Sequence, residues 1–125
     1  MFELDVETSF SAGHSLWRYL GKCENCHGHN YKVQLTVTGE ALNEIGLLCD
    51  FKDVKALMKE VLGRLDHQFL NNLEPFREAN PSAENIARYL YLEIGSLVSQ
   101  SSEYRAKVSR VKVWETERNA VTYFE

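Results

Sequence analysis

Cys23-Glu24-Asn25-Cys26-His27-Gly28-His29-Asn30-Tyr31-Lys32-Val33-Gln34-Leu35-Thr36-Val37-Thr38 decides how the rest of the chain is read. From Tyr31 to Thr38 the pattern alternates, with Tyr31, Val33, Leu35 and Val37 apolar and Lys32, Gln34, Thr36 and Thr38 polar. That period is a strand with one wet face. His27 and His29 share the parity of the apolar set, so a strand running back through them carries both imidazoles on one face. Two imidazoles side by side can hold a metal. Gly28 between them has no side chain, and the expectation is that another segment approaches closely there.

Upstream, Phe2, Leu4, Val6, Thr8, Phe10 and Ala12 alternate with Glu3, Asp5, Glu7, Ser9 and Ser11. This is a second half-buried strand, and if its register continues His14 follows the apolar face. Three imidazoles with an open fourth position is the ligand count of a catalytic zinc site. The plain alternative is that His27 and His29 are loop residues beside a glycine, and the pattern leaves both open. Ser15 to Lys22 has no period and reads as a loop draped over the site.

Downstream, Gly39 to Gly46 is turn-rich and Leu47 to Phe51 reads as a short extended piece. Asp50 is placed to N-cap a helix, with Asp53 in its first turn. Val54, Leu57, Met58, Val61, Leu62 and Leu65 make one helical stripe, which reads as core. Glu74 to Pro81 is a connecting loop, and Ser82 is an N-cap for a second helix striped by Ile86, Ala87, Leu90, Ile94 and Leu97. After a polar loop, Ser99 to Glu103, Ala106 to Thr116 is a third strand. Glu117-Arg118-Asn119 is a turn, and Ala120 to Phe124 is a fourth strand. The order β-β-α-α-β-β predicts an α+β layer fold, with a four-stranded antiparallel sheet and two helices on one face.

A chain of 125 residues is expected to form a single domain, residues 1–125, with a core that needs no disulfide staples. A net charge of −4 gives no electrostatic case for nucleic acid. No apolar run reaches membrane-spanning length, and the acidic start Met1-Phe2-Glu3-Leu4-Asp5-Val6-Glu7 lacks the form of a secretory signal, so the cytoplasm is the expected compartment. Cys23, Cys26 and Cys49 are an odd count, which argues against a disulfide framework. Cys23-x-x-Cys26 lacks a second such pair. A Cys₂His₂ zinc site on Cys23, Cys26, His27 and His29 is conceivable but crowds four ligands into seven residues.

Three further groups could carry chemistry. Cys23 lies close to His27, where a neighbouring zinc would hold it as thiolate; the alternative is a small buried cysteine. Asp66 and His67 are adjacent, and a carboxylate can fix an imidazole's tautomer; the alternative is an exposed helix end. Glu115 shares strand phase with Val111 and Val113, and a carboxylate on that face needs a partner, such as a ligand edge with two N–H donors. The alternative is a glutamate at a strand end facing water.

In order, Phe10-Ser11-Ala12-Gly13-His14, Cys23 to Tyr31, Asp50-Phe51, Leu65-Asp66-His67, Asn80-Pro81-Ser82-Ala83-Glu84-Asn85 and Trp114-Glu115-Thr116 resemble the 6-pyruvoyl-tetrahydropterin synthase family over nearly the whole chain. The resemblance implies the tunnelling fold, with a trimer whose sheets close into a barrel, two trimers stacked as a hexamer, and sites between subunits. It implies zinc on His14, His27 and His29. It further implies Cys23 as catalytic base with Asp66 and His67 as its partner pair, and Glu115 as the pterin anchor. Three residues separate Cys23 from His27. That gap is similar to the bacterial 6-carboxy-5,6,7,8-tetrahydropterin synthases of queuosine and deazapurine biosynthesis. The implied reaction converts 7,8-dihydroneopterin triphosphate to 6-carboxytetrahydropterin, acetaldehyde and triphosphate. The alternatives are a 6-pyruvoyl-tetrahydropterin synthase, which only eliminates triphosphate, and a non-catalytic zinc- or purine-binding module of the same fold. The triphosphate's partner is left open among Arg18, Lys22 and a neighbouring subunit, and the role of Cys26 is open too.

Overall fold

The computed structural model describes residues 1–18, 25–101 and 104–125. Strand β1 (Phe2–His14) and strand β2 (His27–Gly39) pair antiparallel along their whole length, from Phe2 opposite Gly39 to His14 opposite His27. The apolar alternation fixes this register, because a slip of one residue would turn Val33, Leu35 and Val37 to solvent. Both strands run to the histidines, so the sheet itself carries the site.

Helix α1 (Phe51–Leu62) starts where Asp50 accepts a hydrogen bond from the Lys52 amide, as a side-chain cap does. It buries Val54, Met58, Val61 and Leu62. It stops at Gly63, so Leu65, which fits the helical period, is buried from the turn that follows. Helix α2 (Ala83–Gln100) starts with Ser82 accepting from the Asn85 amide and buries Ile86, Ala87, Leu90, Ile94 and Val98. Each fully buried aliphatic or Met side chain contributes roughly 1.5–3 kcal/mol. Both helices pack on the face that carries Val6, Phe10, Tyr31, Val33, Leu35 and Val111, and together they form one core.

The expected four antiparallel strands become five in a mixed sheet. Gln68–Phe69 forms a short strand, β3, parallel to β1 at Ala12 and Gly13. It is followed by β4 (Lys107–Trp114) and β5 (Ala120–Phe124), and the order is β3-β1-β2-β4-β5. Two residues joined through backbone groups leave no side-chain period to read. β4 ends at Trp114 rather than Thr116; Glu115 lies in the connection, its amide donating to the Asn119 carbonyl at 3.1 Å. The expected extended piece at 47–51 is a bend that runs into α1. A register shift between Thr36 and Val37 lets Val108 and Val111 both face the core, which strict alternation forbids.

The close approach expected at Gly28 is absent, since an added Cβ there would meet only the Ala12 carbonyl at 3.7 Å. Gly39 is the crowded glycine: a Cβ would sit 2.5 Å from a Leu48 methyl and 3.0 Å from the Arg105 carbonyl. Among the described residues no helix is long and apolar enough to cross a membrane.

Candidate metal centre and catalytic pair

Register brings the histidines together. Residues directly opposite in an antiparallel pair project from the same face. His14 therefore meets His27, and His29 is the diagonal neighbour across from Ala12. The three rings stand edge to face, with centroids 4.6, 5.1 and 4.7 Å apart. Their ligand atoms and a Glu115 carboxylate oxygen all lie within 4.8 Å of one another. The turn after β4 delivers Glu115, whose Oε1 is 3.0 Å from His14 Nε2 and 3.1 Å from His29 Nε2. Glu115 is thus half-buried against the histidines rather than facing water.

The hydrogen bonds behind the rings decide what fits between them. His14 Nδ1 is 2.7 Å from the Pro81 carbonyl, and His27 Nδ1 is 3.0 Å from the Asn25 carbonyl. A carbonyl only accepts, so each Nδ1 carries a proton and each ring turns its Nε2 toward the others. Those two Nε2 atoms are 3.0 Å apart, with the Glu115 oxygen against His14 and His29. Lone pairs converging in this way are joined by a proton or by a metal ion placed among them. Three imidazole nitrogens suit a divalent ion of the zinc type, with the Glu115 carboxylate beside them and the backbone carbonyls orienting the His14 and His27 rings. The residues present fit a metal. Tyr31, fully buried and stacked on Phe10, sets its hydroxyl 3.2 Å from His14 Nδ1. Burial first, and then the Glu115 charge, push the Tyr31 phenol well up, so it stays protonated.

Asp66 and His67 form a second group at the same end of the sheet. Asp66 Oδ1 accepts from the Ser11 amide at 2.9 Å and lies 3.1 Å from His67 Nδ1. The His67 amide donates to the Ser11 carbonyl at 2.6 Å. Both backbone groups of Ser11 are therefore used to hold the pair, and β3 continues the attachment to β1. The Ser11 amide first, and then His67, hold the Asp66 carboxyl below the usual carboxylate range. His67 has φ of 58°, a left-handed conformation that strains a residue with a Cβ. Its ring is 82% exposed and borders an open depression of about 480 Å³ that Ser11, Gly13, Gly28 and His29 also line. Strain of this kind concentrates at working sites. The pair lies in the turn that follows α1, immediately before β3, and the Asp66 amide still donates to the Leu62 carbonyl at 2.9 Å.

Cys23 and Lys22 lie outside the described residues. Cys26 is exposed and free and stands apart from the metal group; Cys49 is buried, with burial first and then Asp53 raising its thiol pKa. Among the described residues no cysteine joins the histidines, which leaves the Cys₂His₂ alternative without support from Cys26. Sequence reasoning missed Ser11, Tyr31 and the Pro81 carbonyl. Ser11 and Pro81 act through backbone atoms, which no side-chain pattern reports.

Residues 3–125 match the family described as 6-pyruvoyl tetrahydropterin synthase. The chain is 28% identical over 147 aligned positions to a 6-carboxy-5,6,7,8-tetrahydropterin synthase of Haemophilus influenzae, covering 100% of each. It is 35% identical over 129 positions to the human 6-pyruvoyl tetrahydrobiopterin synthase, covering 92% of this chain and 86% of the relative. The solved structure of the Caenorhabditis elegans 6-pyruvoyl tetrahydropterin synthase superposes with a TM-score of 0.85 at 30% identity, covering 99% of this chain and 95% of that one.

Proposed function

The chain belongs to the 6-pyruvoyl tetrahydropterin synthase family, and on that premise we propose that it is a zinc-dependent 6-carboxy-5,6,7,8-tetrahydropterin synthase. Its substrate in this reading is 7,8-dihydroneopterin triphosphate. The observation that carries it is the convergence of His14, His27, His29 and Glu115 on one point, beside a depression that His67 also borders.

His14, His27 and His29 hold the ion through Nε2 in this reading. Bound zinc supplies Lewis-acid stabilisation of the negative charge that develops on the substrate's side-chain oxygens. The rest is the work of the chain. Glu115 offers two carboxylate oxygens to the paired N–H donors of the pterin edge. Its position against His14 and His29 sets that edge beside the metal ligands. Cys23 takes and returns protons at the side-chain carbons, and His67 is its exchange partner. Asp66 holds His67 Nδ1, leaving Nε2 for that exchange.

Elimination of triphosphate leaves a side chain with two adjacent carbonyls. Cleavage between them with one water yields the 6-carboxylate and acetaldehyde, which balances the atoms. The short gap between Cys23 and His27 and the Haemophilus relative favour this branch. The human relative favours the second reading, in which the reaction stops at the 6-pyruvoyl product. The sheet is open, with β5 and the part of β1 before Ala12 lacking an outer partner among the described residues. Such edges pair readily with further copies, which supports a trimeric barrel or a hexamer with sites between subunits.

The test is a mass spectrum of the product after zinc-loaded protein meets 7,8-dihydroneopterin triphosphate. A 6-carboxytetrahydropterin mass with acetaldehyde supports the proposal. A 6-pyruvoyl mass moves the chain to the second branch, and unchanged substrate overturns both.

A further inference from the structure

His14 is the most buried of the three imidazoles, at 1% exposure, and one short segment grips it twice. The first grip is on the ring, through the Pro81 carbonyl at 2.7 Å from Nδ1. The second is on the backbone just beyond it. After His14 the chain leaves β2, so strand pairing no longer holds it. Two asparagine side chains take over the role of a neighbouring strand. Asn71 accepts from the Ser15 amide at 2.9 Å and donates to the Ser15 carbonyl at 2.8 Å. Asn80 does the same for Trp17, at 2.9 and 2.8 Å. A primary amide carries one acceptor and a donor in the geometry of a peptide group, so each clamp satisfies both backbone groups at once.

Asn80 immediately precedes Pro81. The residue that fixes the exit from His14 is therefore bonded to the residue whose carbonyl fixes the His14 ring. Proline restricts this junction on both sides, through its own φ and through the extended bias it imposes on Asn80. The junction is in turn tied to α2, because Asn85 Nδ2 donates to the Asn80 carbonyl at 2.8 Å. The Asn85 amide is occupied by the Ser82 cap at 3.2 Å. A chain of contacts thus runs from the first turn of α2 through Asn85, Asn80 and Pro81 to His14.

We propose that Asn80, anchored by Asn85, is a positioning residue that sets the His14 ring for metal binding. The inference rests on the metal reading above. It states that metal affinity and ligand-field geometry depend on two asparagines that touch neither metal nor substrate. Outer-sphere partners of metal-bound histidines typically carry about 10- to 100-fold in affinity.

The experiment titrates metal-free full-length protein with Co²⁺, reading the visible absorption bands and the affinity by chelator competition. His14→Ala establishes the ligand. Asn85→Ala is the main variant, since alanine is the best helix former and α2 should persist. Asn80→Ala and Asn80→Asp complete the set, the aspartate keeping the acceptor for the Trp17 amide but losing the donor. Ile94→Val loosens the core of the same helix without touching the chain of contacts and serves as the control for general stability.

The expected result is a Co²⁺ spectrum in the wild type that His14→Ala removes. Asn85→Ala and Asn80→Ala should weaken affinity by about tenfold or more with altered bands, Asn80→Asp should fall between, and Ile94→Val should match the wild type. Asparagine variants with wild-type affinity and superimposable bands would overturn the positioning role while leaving the metal reading intact. An equal loss in Ile94→Val would overturn it as well. A wild type that binds no Co²⁺ would overturn both.

Discussion

His67 stores backbone strain that a single pair of substitutions can measure. Its φ of 58° places Cβ against the neighbouring backbone. The left-handed conformation costs an L-residue roughly 1–2 kcal/mol. Glycine removes that cost but enlarges the unfolded ensemble, which returns roughly 0.4–1 kcal/mol. Comparing His67→Gly with His67→Ala cancels everything else, because both lose the imidazole and its contact with Asp66. At the midpoints of those ranges the glycine variant is more stable by about 0.8 kcal/mol. For 125 residues the unfolding entropy is about 0.26 kcal/mol/K, so Tm should separate by about 2–4 °C. Differential scanning calorimetry at matched zinc occupancy reads this directly, and turnover should be lost in both variants. A glycine variant that melts at or below the alanine variant would refute the strain. Retained turnover in either would remove His67 from the chemistry.

Tyr31→Phe keeps the stack on Phe10 and loses only a hydroxyl 3.2 Å from a His14 Nδ1 already committed to Pro81. Stability should fall by no more than about 1 kcal/mol, and Co²⁺ bands should be unchanged; a large loss of metal would make the hydroxyl a working partner. The Asp66 carboxyl titrates lower in the folded chain than in the unfolded one, so its stabilisation is complete above the ordinary carboxylate range and lost as pH falls through the folded value. The stability gap between wild type and Asp66→Asn should therefore close as pH falls below about pH 4; a gap that widens in acid denaturation curves would contradict this. Cys49→Ala should leave turnover within about twofold, because burial keeps that thiol protonated and therefore a poor nucleophile, and a large rate loss with an intact fold would reopen Cys49 as a catalytic thiol.

What could be read from the sequence follows from what side chains reveal. The strands of Phe2 to His14 and His27 to Gly39 alternate along a face that is buried, so parity put His27 and His29 on one face and let His14 follow that of its own strand, while the pairing register that joins the three is seen only in the structure. The helices announced themselves by stripe and by the caps Asp50 and Ser82. The fifth strand did not, because Gln68 and Phe69 join the sheet through backbone groups. Leu65 kept the helical period after Gly63 had ended the helix, since periodicity does not see a stop. The register shift that lets both Val108 and Val111 face the core breaks the alternation such reading depends on. Side-chain pattern gives no role to Asn71, Asn80 or Asn85. Their partners are backbone atoms, distant in sequence for Asn71 and Asn80 and five residues away for Asn85. The contact of Glu115 with His14 and His29 needed the turn after β4, which fixes direction in space rather than in pattern.

The central claim is that three imidazoles, and no sulfur, hold the ion. X-ray absorption at the zinc edge of the loaded protein tests it most directly. The account expects only light scatterers in the first shell at about 2.0–2.1 Å, with the multiple-scattering signature of three imidazole rings. A sulfur shell at about 2.3 Å would place a cysteine on the metal and contradict the site built here.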